Sequence, residues 1–394
     1  MSSSAIHSYR FPTGKSYLSL TVKRTYHIRP GARAEVAREH EEIVEKPVYA
    51  DSTNEGAFHR LVHDTDRFCP EKPLTDVLVR GSAHSARGAV SSLIAAVEVG
   101  AAKKQVRVVG QRRIELGAGG RLSFTSPEPF VRLPLLWDHA FGGRDAHAEA
   151  KLSDTGTAFG RSRHGLAALA HGVPNPKEGG YSVSYPRNIS GRGYFVDMDI
   201  ERIGGVALPN LEDPADPVLP ERLLVKDPLD WMDLPVAACF EPIDTLTFPR
   251  AVFMVPHAAN APKRPVHELS TGAILPADLA DERFPRVPPN PRLFNCAPAG
   301  LAVCRLSGGE RVKLHNLHPK YEILEFDLPG ERPRLLIEPP GCKAADLPSQ
   351  LATIWIEPEA ERLTLTWAGK LEVAVPFPEE MLKKVRHAAT FGRD

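Results

Sequence analysis

Four ionisable residues crowd one short stretch of the chain: Asp138 and His139, then Asp145 and His147. A carboxylate beside an imidazole can serve as an acid–base pair or help to hold a metal ion. The spacing here matches no standard ligand set, and the four residues flank Gly142-Gly143. Charges beside a glycine turn are expected to be the solvated rim of a loop. His315 and His318 form a second candidate. In a strand, an odd separation sends the two imidazoles to opposite faces, so they do not share a ligand. Gly14-Lys15-Ser16 has the ending of a phosphate loop, but Tyr9 stands where the first glycine is required. A strand-like run follows it, whereas phosphate needs the opening of a helix. No Gly-x-Ser-x-Gly, His-Glu-x-x-His or Gly-x-Gly-x-x-Gly pattern is present. No catalytic residue, cofactor or metal ligand is therefore assigned. A hydrolase using Asp138 and His139 remains one alternative.

The element that must position these residues is the stretch from Phe130 to Asp145. It gathers Phe130, Leu133, Leu135, Leu136, Trp137 and Phe141 ahead of the glycine pair. Pro134 bars the start of the run from a central strand or a helix interior. Gly142 and Gly143 allow a positive φ or a close backbone approach, with Trp137 and Phe141 as buried anchors. Two other polar loops carry the same signature: Gly191-Arg192-Gly193-Tyr194 preceded by Asn188, and Asn210 within Leu208–Glu212. Loops held by Gly and Asn are turns or binding edges. If this protein docks a partner, the expected surface comprises Asp138, His139, Phe141, Gly142, Gly143, Arg144, Asp145, Arg192 and Asn210.

The rest of the chain is expected to be mainly β, with antiparallel, sandwich-like sheets, long Pro/Gly-rich loops and few helices. Leu18, Leu20 and Val22 alternate with polar neighbours in Ser16–Ile28, the signature of a half-buried strand. Lys72–Gly81, Val90–Val99, Gln105–Val109, Arg113–Leu116 and Leu122–Phe124 read as further strands joined by glycine turns. The pattern returns in Arg311–Leu317, Tyr321–Leu328, Arg334–Ile337, Ala352–Glu357 and Arg362–Trp367. Ala34–Val44 is either a short helix or extended, a helical piece is expected around Gly165–Ala170, and Glu379–Ala389 reads as a terminal helix. Proline, at 37 of 394 residues or about 9%, exceeds average usage and favours edges and extended connections. The Pro-dense run 256–291 divides an N-terminal region, 1–255, from a C-terminal one, 292–394, which is either separate or part of the same domain.

Bulk properties exclude some functions. Lys+Arg 49 balances Asp+Glu 49, against a dedicated nucleic-acid or anionic-membrane surface. No apolar run reaches the roughly 18 to 20 residues of a membrane span, and Met1–Lys15 has no apolar leader core. Five scattered cysteines without a Cys-x-x-Cys pair fit buried free thiols in a reducing compartment. A cytoplasmic location without membrane insertion is expected.

Several segments together resemble a known bacterial family. They are Asp66–Gly81 with Ala83-His84, Leu136–Asp145, Gly191–Tyr194, Leu208–Pro214, Phe294–Pro298, and Gly308-Gly309-Glu310 leading to Leu314–Leu317. In this order they resemble the family catalogued as domain of unknown function 2169, over roughly residues 15–330 or the whole chain. One position departs from the pattern: Phe240-Glu241-Pro242-Ile243 has Glu241 where the family pattern has glycine. The resemblance implies association with the type VI secretion system. Members look like adaptors or chaperones that load a toxic effector onto the spike of a valine-glycine-repeat protein (VgrG) and its PAAR tip. Extended β edges suit such a role. The other alternative is a carbohydrate- or envelope-binding β module using exposed aromatics.

Overall fold

The Ser16–His27 strand pairs along its whole length with Arg362–Val373, Ser16 opposite Val373 and His27 opposite Arg362. Side chains alternate across a strand, so Leu18, Leu20, Val22 and Tyr26 share a face with Leu363, Leu365 and Trp367. The opposite face carries Ser19, Thr21, Lys23, Thr25, Thr364 and Thr366, and all of these are buried as well. The alternation that reads as a half-buried strand thus marks a strand covered on both sides. The 3-10 helix Asp66–Glu71 and the segment that follows Glu35–Val36 lie over the hydroxyl face. Lys23 meets Asp66 at 2.5 Å and donates to Glu42 O at 3.1 Å, while Thr25 Oγ1 accepts the Glu41 N–H at 2.9 Å.

This computed structural model describes residues 2–10, 15–54, 59–147, 174–175, 180–181, 184–196, 202–225, 233–245, 247, 250 and 291–393. The long pair sits in a seven-stranded sheet ordered Ser3–Arg10, Ser16–His27, Arg362–Val373, Gln350–Glu357, Thr75–Val79 and Ala302–Val303, with Glu35–Val36 beside Ser16–His27. The pairing is antiparallel except between Thr75–Val79 and Gln350–Glu357. A second, five-stranded antiparallel sheet runs Leu211–Glu212, Ala102–Val109, Ser92–Val99, Arg311–His315 and Ile323–Asp327. Val97, Val106, Val312, Leu314 and Phe326 from this sheet meet Val77, Ile354, Leu365 and Trp367 from the first in one continuous core. A three-stranded sheet, Ala345–Leu347, Glu331–Glu338 and Arg386–Arg393, covers the far end of the aliphatic face through Leu335, Ile337 and Leu347. Regions 1–255 and 292–394 contribute strands to both larger sheets. The fold is mainly β, with several antiparallel sheets and few helices.

One local reading changes and one left open is decided. Only Glu379–Leu382 of the expected terminal helix is helical; Arg386–Arg393 is a strand on Glu331–Glu338. Phe391 drives this, packing edge-on against Trp367 at 5.5 Å beneath the Arg24 guanidinium, a contact that helix propensity does not anticipate. Ala34–Val44 forms no helix: it is irregular apart from a short strand at Glu35–Val36, because its backbone bonds to Thr25 and to Asp327. Residues 165–170 and the connection 256–290 lie outside the described residues, as does Gly14.

Candidate functional site

Trp137–His139 makes a single 3-10 turn, and Phe141-Gly142 then pairs in parallel with Arg192-Gly193. Backbone bonds knit three distant segments here. Arg192 N–H donates to Ala140 O at 3.1 Å, Tyr194 N–H to Gly142 O at 3.0 Å, and Asn210 N–H to His139 O at 2.8 Å. Asparagine amides close the remaining gaps. Asn188 Nδ2 donates to Trp137 O (2.8 Å) and Phe141 O (3.1 Å). Asn54 Nδ2 lies 2.8 to 3.0 Å from the carbonyls of Asp138, Ser190 and Gly191. Gly142 and Gly143 adopt φ of +146° and +102°. A Cβ on either would lie inside the carbonyl oxygen of Asn188 or of Gly191, so the close approach expected of the glycine pair is present. Phe141 is fully buried and meets Tyr185 edge-on at 5.0 Å.

The charges behave differently from a solvated rim. Asp138 is 0% exposed and Asp145 6%. Asp138 Oδ2 accepts the Thr53 N–H at 3.0 Å and lies 3.6 Å from Arg60 Nε. Arg60 also binds Glu241 at 2.6 Å, and the second Glu241 oxygen accepts the Trp137 N–H at 3.3 Å. The platform thus accommodates the Glu241 carboxylate. Burial outweighs the attraction of Arg60 and pushes Glu241 up to about 7. Asp145 Oδ1 accepts the His147 N–H at 3.1 Å. The expectation of an exposed acidic rim fails because loop backbone, packed this tightly, needs buried carboxylates to take up its N–H groups and the Arg60 guanidinium.

His139, Arg192 and Asn210 come together at the surface. With Thr53, Asn54, Gln111, Glu128, Pro129, Phe130 and Leu133 they line a cleft of about 380 Å³. His139 Nδ1 bonds to Pro134 O at 3.0 Å, which places the ring proton there. Burial, reinforced by Arg192, lowers its pKa, so the ring is neutral at neutral pH. Arg192 is half-buried, its Nε is enclosed, and its guanidinium makes no hydrogen bond or ion pair among the described residues. Phe141, Gly142 and Gly143 build the scaffold beneath, and Arg144 and Asp145 stand outside the cleft lining. Sequence reasoning missed Asn54, Arg60 and Gln111, and noted Glu241 only as a departure in a turn. Asn54 closes the polar run Asp51-Ser52-Thr53-Asn54, which is itself a loop signal.

The profile of a bacterial family described as "Uncharacterized protein conserved in bacteria (DUF2169)" matches residues 13–368. The chain belongs to the DUF2169 family. Neither a curated protein nor a solved structure matches it.

The DUF2169 segments away from the cleft hold the scaffold. Asp76, from Thr75–Val79, accepts from Lys72 at 2.8 Å, from Asn295 Nδ2 at 2.9 Å and from the Cys296 N–H at 3.0 Å. Lys72 Nζ also donates to Thr353 Oγ1 at 3.0 Å, and Arg250 pairs with Asp64 at 2.8 Å. All of these side chains are buried, and burial drives the Cys69 and Cys296 thiols upward, away from reactivity. Cys304 and Cys342 are exposed, against the expectation of buried thiols, because both lie on surface loops. Among the described residues no group of three or more His, Cys, Asp or Glu side chains is placed to hold a metal ion.

Proposed function

We propose that this DUF2169 chain is a type VI secretion adaptor that binds a toxic effector and helps load it onto the VgrG/PAAR spike, working in the cytoplasm. The observation that carries the reading is the cleft at His139, Arg192 and Asn210. A half-buried arginine whose donors are unused stands on a platform held by backbone bonds from three segments, the preorganisation that recognition of a partner favours. The family resemblance supplies the kind of partner. Three further observations agree with binding in preference to chemistry. His139 directs Nδ1 to Pro134 O and not to Asp138, so the carboxylate–imidazole pair of a hydrolase is not assembled. Asp138 is buried behind the cleft, and the buried thiols are held in their neutral form. No helix among the described residues is long and apolar enough to cross a membrane.

Affinity purification of the tagged full chain from its native cell, with mass spectrometry of the bound proteins, tests the reading. A spike component or a toxin is expected among them. Recovery of neither overturns it. A glycan array is expected to stay blank, and saturable glycan binding would favour the carbohydrate-module alternative.

A further inference from the structure

We infer that the cleft at His139, Arg192 and Asn210 is a carboxylate-binding site, which takes an acidic side chain or a free C-terminus from an extended peptide. It deepens the adaptor reading, resting on that reading only for which protein carries the peptide.

Arginine presents a planar fork of donors that matches a carboxylate through two parallel hydrogen bonds. The Arg192 fork is free to do so: none of its donors is bonded among the described residues, and it lines the cleft. It is also preorganised. Its backbone is fixed by the N–H bond to Ala140 O and by pairing with Phe141, while the following Gly193 takes φ +94° against Pro209. A ligand meeting a half-buried fork on a fixed backbone loses less entropy than one that must order the backbone as well. Asp138 lies behind Arg192 and offsets part of its charge, but Arg60 holds the same carboxylate from the other side.

The other walls suit the chain that would bear the carboxylate. With its proton on Nδ1, His139 leaves Nε2 as an acceptor, able to take a peptide N–H. Among the described residues the Gln111 side chain makes one long bond, 3.4 Å to Arg112 O, so its amide remains available to a main-chain group. Leu133 and the half-buried Phe130 give an apolar floor for side-chain methylenes. Glu128 stands exposed at the rim. It repels anions, and therefore selects for a single carboxylate over a dense polyanion. A cleft of about 380 Å³ suits one or two residues.

The test is fluorescence anisotropy with the full chain and labelled Gly/Ser octapeptides. One ends in a free carboxylate, one is amidated, one is amidated with an internal Glu, and one is amidated with an internal Lys. Saturable binding is expected for the peptides that carry a carboxylate, and the two acidic peptides separate terminus from side chain as the source. Arg192→Gln should weaken that binding about tenfold or more. Arg192→Lys, which keeps the charge without the fork and guards against a folding defect in the first variant, should weaken it several-fold. Glu128→Gln should tighten it. The inference is overturned if the uncharged amide binds as well as the acid, if both Arg192 variants match the wild type, or if the Lys peptide is preferred. In the native-cell purification, Arg192→Gln should recover less partner than the wild type. Equal recovery would overturn the cleft assignment and leave the adaptor reading standing. No partner from the wild type would overturn the adaptor reading, while the peptide titration would still judge the cleft.

Discussion

Between the two large sheets, Trp367, Leu365 and Ile354 face Val97, Val312 and Phe326, and shape follows from the burial of apolar area. Around Phe141 the chain is held in another way. There, two-residue pairings, three asparagines and glycines without room for a Cβ fix the backbone, with Asp138 and Glu241 buried among them. The first arrangement tolerates exchange of one aliphatic residue for another of similar volume. The second tolerates almost none, because its contacts are made by backbone atoms at fixed distances. Tolerance suits a scaffold and intolerance suits a surface whose geometry is read by a partner, so we place the function at the platform.

That contrast can be broken most severely at the glycines. In Gly142→Val a positive φ and a collision with Asn188 O act together. Backbone strain of about 1 to 3 kcal/mol and overpacking of a similar size give a loss of about 2 to 6 kcal/mol in urea denaturation. Gly88→Val is the control: φ is +100° but nothing lies within 4 Å, so only the strain should be felt. A Gly142 variant no worse than the Gly88 variant would remove the close approach from the account. Next comes Phe141→Ala, for which a fully buried ring predicts a loss of about 3 to 5 kcal/mol. Trp367→Ala in the sandwich should cost about the same, so apolar burial alone does not distinguish the regions.

The titration of Glu241 gives the platform a signature of its own. Burial raises Glu241 above its ordinary 4.5, so the folded chain holds this proton longer than the unfolded chain does. Its contribution to stability is present in full below about pH 4.5 and is lost as pH rises through about 7. The swing should reach at most about 3 kcal/mol. Thermal melts across this window should show it, and Glu241→Gln should flatten it; an unchanged slope in that variant would assign the pH dependence elsewhere. Smaller still, Asp138→Asn should cost about 1 to 3 kcal/mol by chemical denaturation, because Thr53 N–H and Arg60 lose a charged partner in a buried site. Arg334→Ala, whose pair with Asp346 is more than half exposed, should move stability by less than about 1 kcal/mol. Equal effects of the two would return Asp138 to the rim that sequence spacing implies.

The sandwich was legible because its signal is local. Alternation in Ser16–His27, Arg311–His315 and Arg362–Val373 shows the strands directly, and a hairpin reads at Gly100–Lys104, although the turn is only Gly100 and Ala101 because the second strand already starts at Ala102. The platform was half legible. Gly142-Gly143, Asn188, Arg192 and Asn210 stand out as loop chemistry, and the fold brings them together. What sequence concealed was burial. Asp138 looks like any rim charge until Thr53 and Arg60, some eighty residues earlier, are seen to enclose it. The hydroxyl face of Ser16–His27 concealed its burial in the same way, since its cover comes from a 3-10 helix with no apolar stripe. The Arg386–Arg393 strand was hidden because its partner, Glu331–Glu338, lies far back along the chain.

The most direct test of where function resides is hydrogen–deuterium exchange of the full chain, alone and with the protein it co-purifies from the native cell. The account predicts added protection in the segments that rim the cleft, residues 51–54, 110–112 and 127–131, with the sandwich strands Ser92–Val99 and Arg311–His315 unchanged. Protection gained on the sandwich strands alone, with the cleft rim exchanging as in the free protein, would contradict it.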